Sequence, residues 1–398
     1  MKKILYISSF LPYNTPYAGS KTAFSILKSL SSYNQIDIIA FYNNLEESKL
    51  DEFLDYTKTN KNIDQVSCSY VSNFKRLINA LFMFFLPLIL TTRFDFLFLI
   101  ENFRKFKKYD LIHLEFSQAL FFSYLISKVF NIKMSVSVAD VILQSYQRKL
   151  EESSGFLMNL FYFLEVKKLK FFERLFLDSA EVITVQSHKD RELLKSMYNI
   201  ELNKVVVLSP DFYRLPLVKK ENEQQTFNVM LWGAYNRYEN EKAFFDFFDK
   251  CLDRLNEEIP NFKFIACGVN PTEKMINSAK ANDSVVITGF VEKPEDVFST
   301  INIAVVPLSI GAGIKVKTLE CLYAGLPVVT TTVGSEGIPN MENMIIEDDI
   351  SNFSDIIIDI YNKSTSFDGE KSRRFLDAEF DQNSDLKQLN LMVSQLNY

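Results

Sequence analysis

The stretch from Ile301 to Gly337, INIAVVPLSIGAGIKVKTLECLYAGLPVVTTTVGSEG, leaves a chain of this kind few ways to fold. Its pattern is strand, glycine loop, helix, strand, glycine loop. Ile303 to Val306 is a short β-branched apolar run stopped by Pro307. Gly311 and Gly313 let backbone approach a ligand closely. A helix is predicted over 314–324, ended by Gly325-Leu326-Pro327, and Pro327 opens the next buried strand. Unpaired N–H groups and the positive end of the dipole make such a helix start an anion site, and Lys315 and Lys317 add charge to it. Glu320 follows Lys317 by three residues and Gly313 by seven. It can accept hydrogen bonds from two vicinal hydroxyls while phosphates sit at the glycines.

Two lookalikes fail on spacing. Gly311-Ala312-Gly313-Ile314-Lys315-Val316 lacks the third glycine of G-x-G-x-x-G, and its acidic residue comes too early for a dinucleotide fold. Gly19-Ser20-Lys21-Thr22 has a serine between the glycine and lysine that a P-loop joins directly. An ordinary β-α-β unit with a capping loop also explains the residues so far.

The run Pro307…Gly311-Ala312-Gly313-Ile314-Lys315-Val316-Lys317-Thr318-Leu319-Glu320…Ala324-Gly325-Leu326-Pro327-Val328-Val329…Gly334-Ser335-Glu336-Gly337 resembles the donor-site signature of retaining GT-B glycosyltransferases of the family 4 (group 1) type. The resemblance implies two Rossmann-like α/β domains facing a cleft, with a C-terminal helix crossing back to the first. It implies donor contacts at Gly311, Gly313, Lys315, Lys317, Glu320 and Glu336, with Lys315 also stabilising the departing phosphate. It further implies a nucleotide-diphosphate sugar (UDP- or GDP-sugar) as substrate, no cofactor, no metal, and a glycan or lipid-linked acceptor in bacterial surface polysaccharide synthesis. Relatives often carry a further glutamate eight residues before the conserved one; Ala312 stands there. A non-catalytic partner protein on the same fold, or a sugar-nucleotide epimerase, would also carry this signature.

The rest of the chain fits two halves. With 398 residues, 47% apolar and 24% charged, it is long enough for about two globular domains. Net charge of −6 disfavours a general nucleic-acid role. Four cysteines without C-x-x-C spacing suit a reducing cytosol, and two histidines rule out a histidine-rich metal site. Lys3–Ser8 reads as a strand, residues 10–20 as a loop, 21–30 as a helix and 35–41 as a strand: the opening of a doubly wound domain. In the family this loop closes over donor phosphates, and Gly19 matches one glycine of its usual pair. Asp140 is placed at the carboxyl end of the strand 133–138, where function concentrates. The family often has His-Asp there, the histidine helping to hold the sugar or organise the acceptor; Asp140 is taken as a catalytic candidate, and Ala139 in the histidine's place weakens acid/base chemistry from this spot. Ser187 reads as a helix N-cap and His188 as a solvent-facing first-turn residue.

Residues 1–211 are assigned to the first domain, 212–225 to a linker, 226–372 to the nucleotide-sugar domain and 373–398 to the crossing helix. In the second half Gly233 lets the turn after the strand 227–232 approach a diphosphate, within reach of Arg237. Val291 stands where the family's backbone pairs with the donor base. The segment Leu77–Leu90, LINALFMFFLPLIL, is too short to span a bilayer, which needs about twenty residues. It reads as a core helix or an interfacial segment. No signal peptide is expected from the start of the chain. Basic runs at 104–108 and 167–172 interleave with aromatics. They read either as solvated helix faces or as docking sites on an anionic membrane surface, which would place a cytoplasmic protein at the inner face of the plasma membrane.

Overall fold

The computed structural model describes residues 1–13, 18–44, 46–218, 226–363 and 367–396. The expected loop therefore loses residues 14–17, and the expected linker loses 219–225, from the described part. The chain forms two compact units. The first takes 1–211 with 381–398, the second 212–380.

The first unit is built on β1 (Lys3–Ser8), β2 (Gln35–Tyr42), β3 (Ile63–Tyr70), β4 (Leu111–Glu115), β5 (Lys133–Val138), β6 (Val182–Val185) and β7 (Val205–Val207). They lie in the order β3-β2-β1-β4-β5-β6-β7, and the described pairings are parallel. Alternate residues of β1 feed opposite faces. Ile4 and Tyr6 join one buried cluster, Leu5 and Ile7 the other. Both faces are covered by helices, as a parallel sheet requires. β3 was not foreseen: IDQVSCSY is half polar because it is an edge strand, only partly buried.

The second unit carries β8 (Phe227–Trp232), β9 (Phe262–Cys267), β10 (Val285–Gly289), β11 (Ile303–Val306), β12 (Val328–Thr330) and β13 (Met344–Ile346). Their order is β10-β9-β8-β11-β12-β13, again parallel. Strand order reverses between β8 and β11. The crevice at the carboxyl ends of that pair is where open α/β sheets bind ligands.

Two boundaries and one element differ from expectation. Phe212 and Leu215, expected in the linker, are buried in the second unit's core, and the Val218 amide donates to the Ala324 carbonyl at 2.9 Å. The break expected at 372/373 falls inside the helix Gly369–Glu379, which stays with the second unit. Leu376 is fully buried there, and the Ser372 hydroxyl donates to Asn343 Oδ1 at 2.8 Å. Only the helix Gln382–Gln395 returns to the first unit, seating Leu389 and Val393 beside Ile26, Leu27 and Val206. Finally, Leu77–Leu90 is not one core helix. It divides between the helix Asn73–Phe82, a turn, and a 3-10 turn at Leu88–Thr91. Met83, Leu86 and Leu90 are buried, whereas Leu77, Leu81, Phe82 and Phe84 are exposed.

Candidate functional site

The site grows from the two strands at the sheet's reversal in the second unit. β8 ends at Trp232, and Gly233 begins the turn leading to the helix Tyr238–Glu258. β11 ends at Val306, and the loop through Gly311 and Gly313 leads to the helix Val316–Tyr323. Gly311 (φ 140°) and Gly313 (φ 69°) hold conformations that a side chain would oppose. The helix starts two residues later than predicted, with Lys315 as its N-cap and no side chain closing the first turn. A helix start leaves its first amides without the carbonyl four residues back; here the Thr318 amide donates to the Lys315 carbonyl at 2.9 Å.

Lys315 is buried and braces the glycine loop. Its Nζ donates to the carbonyls of Gly313 (2.7 Å) and Ala312 (2.9 Å) and lies 3.5 Å from Glu336 Oε2. Glu336 is itself buried in the loop after β12, so the pair ties the two glycine loops together. Thr318 Oγ1 adds a bond to the Gly334 carbonyl at 2.7 Å. At Gly334 a Cβ would sit 2.2 Å from Thr330 Oγ1 and 2.5 Å from the Val306 carbonyl oxygen. Only glycine fits this approach of loop to sheet.

Lys317, on the first helical turn, points to the turn after β8. Its Nζ donates to Asn240 Oδ1, and the Asn240 amide donates to the Ala234 carbonyl at 2.7 Å. A Cβ on Gly233 would lie 3.3 Å from the same Nζ. Burial of the ammonium, then the charge of Arg237, pushes the Lys317 pKa down to about 7. Arg237 is largely exposed and pairs with Glu239 at 3.0 Å.

Glu320, one turn on, is buried with its carboxylate between two donors. Trp232 Nε1 donates to Oε2 at 2.7 Å and the Tyr213 amide to Oε1 at 3.1 Å. These two bonds orient the carboxylate. The loops after β8, β9 and β10 are knitted by backbone: Gly233 N–H to the Cys267 carbonyl at 3.0 Å, and Gly268 N–H to the Gly289 carbonyl at 3.2 Å. Val291 follows this ladder and packs half-buried on the core.

The structure thus brings Gly233, Arg237, Gly311, Gly313, Lys315, Lys317, Glu320 and Glu336 into one neighbourhood, with Val291 on the adjoining loop. Gly19 and Asp140 belong to the first unit. Gly19 is the second residue of the helix Ala18–Ser31, and a Cβ there would meet the Phe116 ring at 3.0 Å. Asp140 is exposed just beyond β5. His188 is the exposed first residue of a helix capped by Ser187, as expected. Sequence reasoning missed Trp232, Asn240 and Tyr213 as partners of the site. Trp232 is the only tryptophan of the chain and stands at the end of β8, a signal that was available. It also missed a buried polar group in the first unit. There His113 Nε2 lies 2.8 Å from Glu115 Oε1 and its Nδ1 3.2 Å from Ser135 Oγ, under the Tyr6 ring. Among the described residues no cluster of three or more His, Cys, Asp or Glu is placed to hold a metal ion.

Residues 226–363 match the family model described as glycosyl transferases group 1. The fold is that of the GT-B glycosyltransferases. HepE of Anabaena, solved in complex with UDP and glucose, superposes with a TM-score of 0.65 at 13% identity over 100% of both chains. Sucrose-phosphate synthase of Thermosynechococcus elongatus gives 0.66 at 13% identity over 100% of this chain and 99% of that one. The lipopolysaccharide outer core galactosyltransferase WaaB gives 0.62 at 11% identity, over 98% and 99%. No curated protein sequence matches the chain.

Proposed function

We propose that the protein is a retaining glycosyltransferase of the family 4 type. It moves a sugar from a nucleotide-diphosphate donor to a glycan or lipid-linked acceptor in surface polysaccharide synthesis. The observation that carries this reading is the set at the β8/β11 reversal: the Gly311–Gly313 loop, the open first turn with Lys315 and Lys317, and the buried Glu320 carboxylate. The diphosphate sits on the glycine amides and the Lys317 ammonium, and Glu320 accepts from the ribose diol. A UDP donor is favoured over GDP because HepE is solved with UDP.

In the reaction the bond between the anomeric carbon and the β-phosphate oxygen breaks as the acceptor oxygen bonds to that carbon. The acceptor proton leaves with the diphosphate or to water. The transition state resembles the oxocarbenium of glycoside hydrolysis. Negative charge grows on the leaving phosphate, where the first-turn amides and Lys317 stabilise it without a metal. Lys315, tied to the loop carbonyls and Glu336, sets the shape of the cradle.

The test is nucleotide release from a panel of UDP- and GDP-sugars, with and without bacterial lipid extract as acceptor. Release that depends on the extract supports transfer. Tight UDP binding with no release from any donor supports the non-catalytic reading, for which Ala312 in place of the family's first glutamate is the specific argument. A changed free sugar supports an epimerase.

A further inference from the structure

The first unit carries an apolar projection that the proposed chemistry does not use. The helix Phe156–Asp178 begins after Gly155 with FLMNLFYFL, nine residues without a charge. A helix apolar on all sides belongs in a protein core or in lipid. Here Phe156 is 80% exposed and Leu157 78%, and Met158, Leu160, Phe161, Phe163 and Leu164 are exposed too. Eight of the nine residues are open to solvent, so the exposure runs around the helix rather than along one face. Only Tyr162 is held back, its ring 6.0 Å from Tyr146.

A second apolar segment adjoins it. Lys168 Nζ donates to the Phe84 carbonyl at 3.0 Å, Glu165 accepts from the Leu88 amide at 2.6 Å, and the Phe85 and Phe172 rings lie 6.2 Å apart. This seats the turn after the helix Asn73–Phe82 against the same helix, with Phe82 and Phe84 about 70% or more exposed. Contiguous exposed apolar surface of this size marks an interaction site. At the base of the projection the exposed stripe turns basic: Lys167, Lys170 and Arg174 alternate with Phe171 and Leu175. The whole chain is net acidic at −6, so this local cationic collar is set against the overall charge.

We infer that this projection docks the protein on an anionic lipid bilayer, the apolar tip entering the acyl boundary and the collar lying among the phosphates. An apolar tip ringed by cations matches a bilayer, which is apolar within and anionic at its surface. A protein groove would bury one face of the helix and leave the others wet. Lys and Arg stems can lie along the apolar surface while their charges reach headgroups. Nine residues rise about 13 Å, enough to enter one leaflet and far short of crossing. No helix among the described residues is long and apolar enough to cross a membrane.

Co-sedimentation of the full chain with vesicles tests this without any assay of transfer, so its failure and that of the proposed function are separable. The vesicles are phosphatidylcholine alone, or an equimolar mixture with phosphatidylglycerol. The wild type is expected to sediment with the mixed vesicles and weakly with phosphatidylcholine. The double variant Leu157→Glu, Phe161→Glu is expected to lose both. The triple variant Lys167→Gln, Lys170→Gln, Arg174→Gln is expected to bind mixed vesicles on the order of 100-fold more weakly, from about fivefold per charge, and phosphatidylcholine unchanged. Thermal melting of each variant separates lost binding from lost folding, and the triple variant carries the test if the double variant does not fold. Absence of wild-type binding to mixed vesicles overturns the inference. So does a lipid-free dimer abolished by the double variant while vesicle binding persists, which would assign the tip to a second copy of the chain.

Discussion

At the scale of single residues, Glu320 and Lys317 decide what the site can do. Glu320 is oriented by Trp232 and the Tyr213 amide before any ligand arrives. On the proposed function, replacing it with alanine removes charged hydrogen bonds to a ribose, and UDP affinity by calorimetry should fall by about 1.5–3 kcal/mol. The same change strips two protein donors of their acceptor, so the melting temperature falls as well. Glu320→Gln keeps one acceptor oxygen but turns its amide N–H toward the other donor, so it should recover only part of the stability and not the affinity. Lys317 gives a pH signature. The unfolded chain holds that proton to about pH 10.4, the folded protein only to about 7. Folding stability therefore rises with pH between those values, and the cost of the buried charge is complete below about 7. Ligand binding runs the other way. A diphosphate favours the ammonium, so binding is strongest where Lys317 is already charged and takes up a proton above that pH. UDP affinity should fall by roughly 10–100-fold from pH 7 to pH 9. Lys317→Gln should bind more weakly and show a flat profile; a flat profile in the wild type would remove Lys317 from the proposed diphosphate site.

At the scale of elements, the helix Asn73–Phe82 shows how an apolar sequence can be held from the inside and left bare outside. Asn79 is buried, and its amide donates to the carbonyls of Thr91 at 3.0 Å and Phe94 at 2.7 Å. Asn79→Ala should cost about 2–4 kcal/mol in a urea melt, because two buried carbonyls lose their donor. Leu81→Glu on the outer face should change stability by less than about 0.5 kcal/mol. The polar residue anchors this segment and the leucine does not, the reverse of what hydropathy suggests. The edge strand β3 shows the same limit on sequence reading. Its outer residues need not be apolar, so its alternation is faint.

At the scale of the whole molecule, the last helix is decided by packing far from it in sequence. Gln382–Gln395 closes one face of the first unit's core, and the Ser209 amide donates to Asp385 Oδ2 at 2.8 Å. Ending the chain before Asp381 uncovers Ile26, Leu27, Val206 and Leu208, so calorimetry should show the first unit's transition lowered or lost. The transition of the second unit, complete at Phe380, should stay.

Much of this protein is written in local pattern. Alternating β-strands and amphipathic helices announce a doubly wound fold, since periodicity reports which face of an element is buried. The loop Gly311–Gly313 with Lys315, Lys317 and Glu320 is legible because the residues proposed to meet phosphate and ribose lie within two helical turns of one another. Spacing does not tell which lysine is spoken for. Lys315 and Lys317 are two residues apart, yet one braces the loop through Glu336 and the other faces the Gly233 turn. That division depends on Glu336 and Asn240, 21 and 77 positions away, brought close only by the sheet order. The exposed FLMNLFYFL tip is settled the same way: composition says apolar, and only the fold decides whether anything covers it.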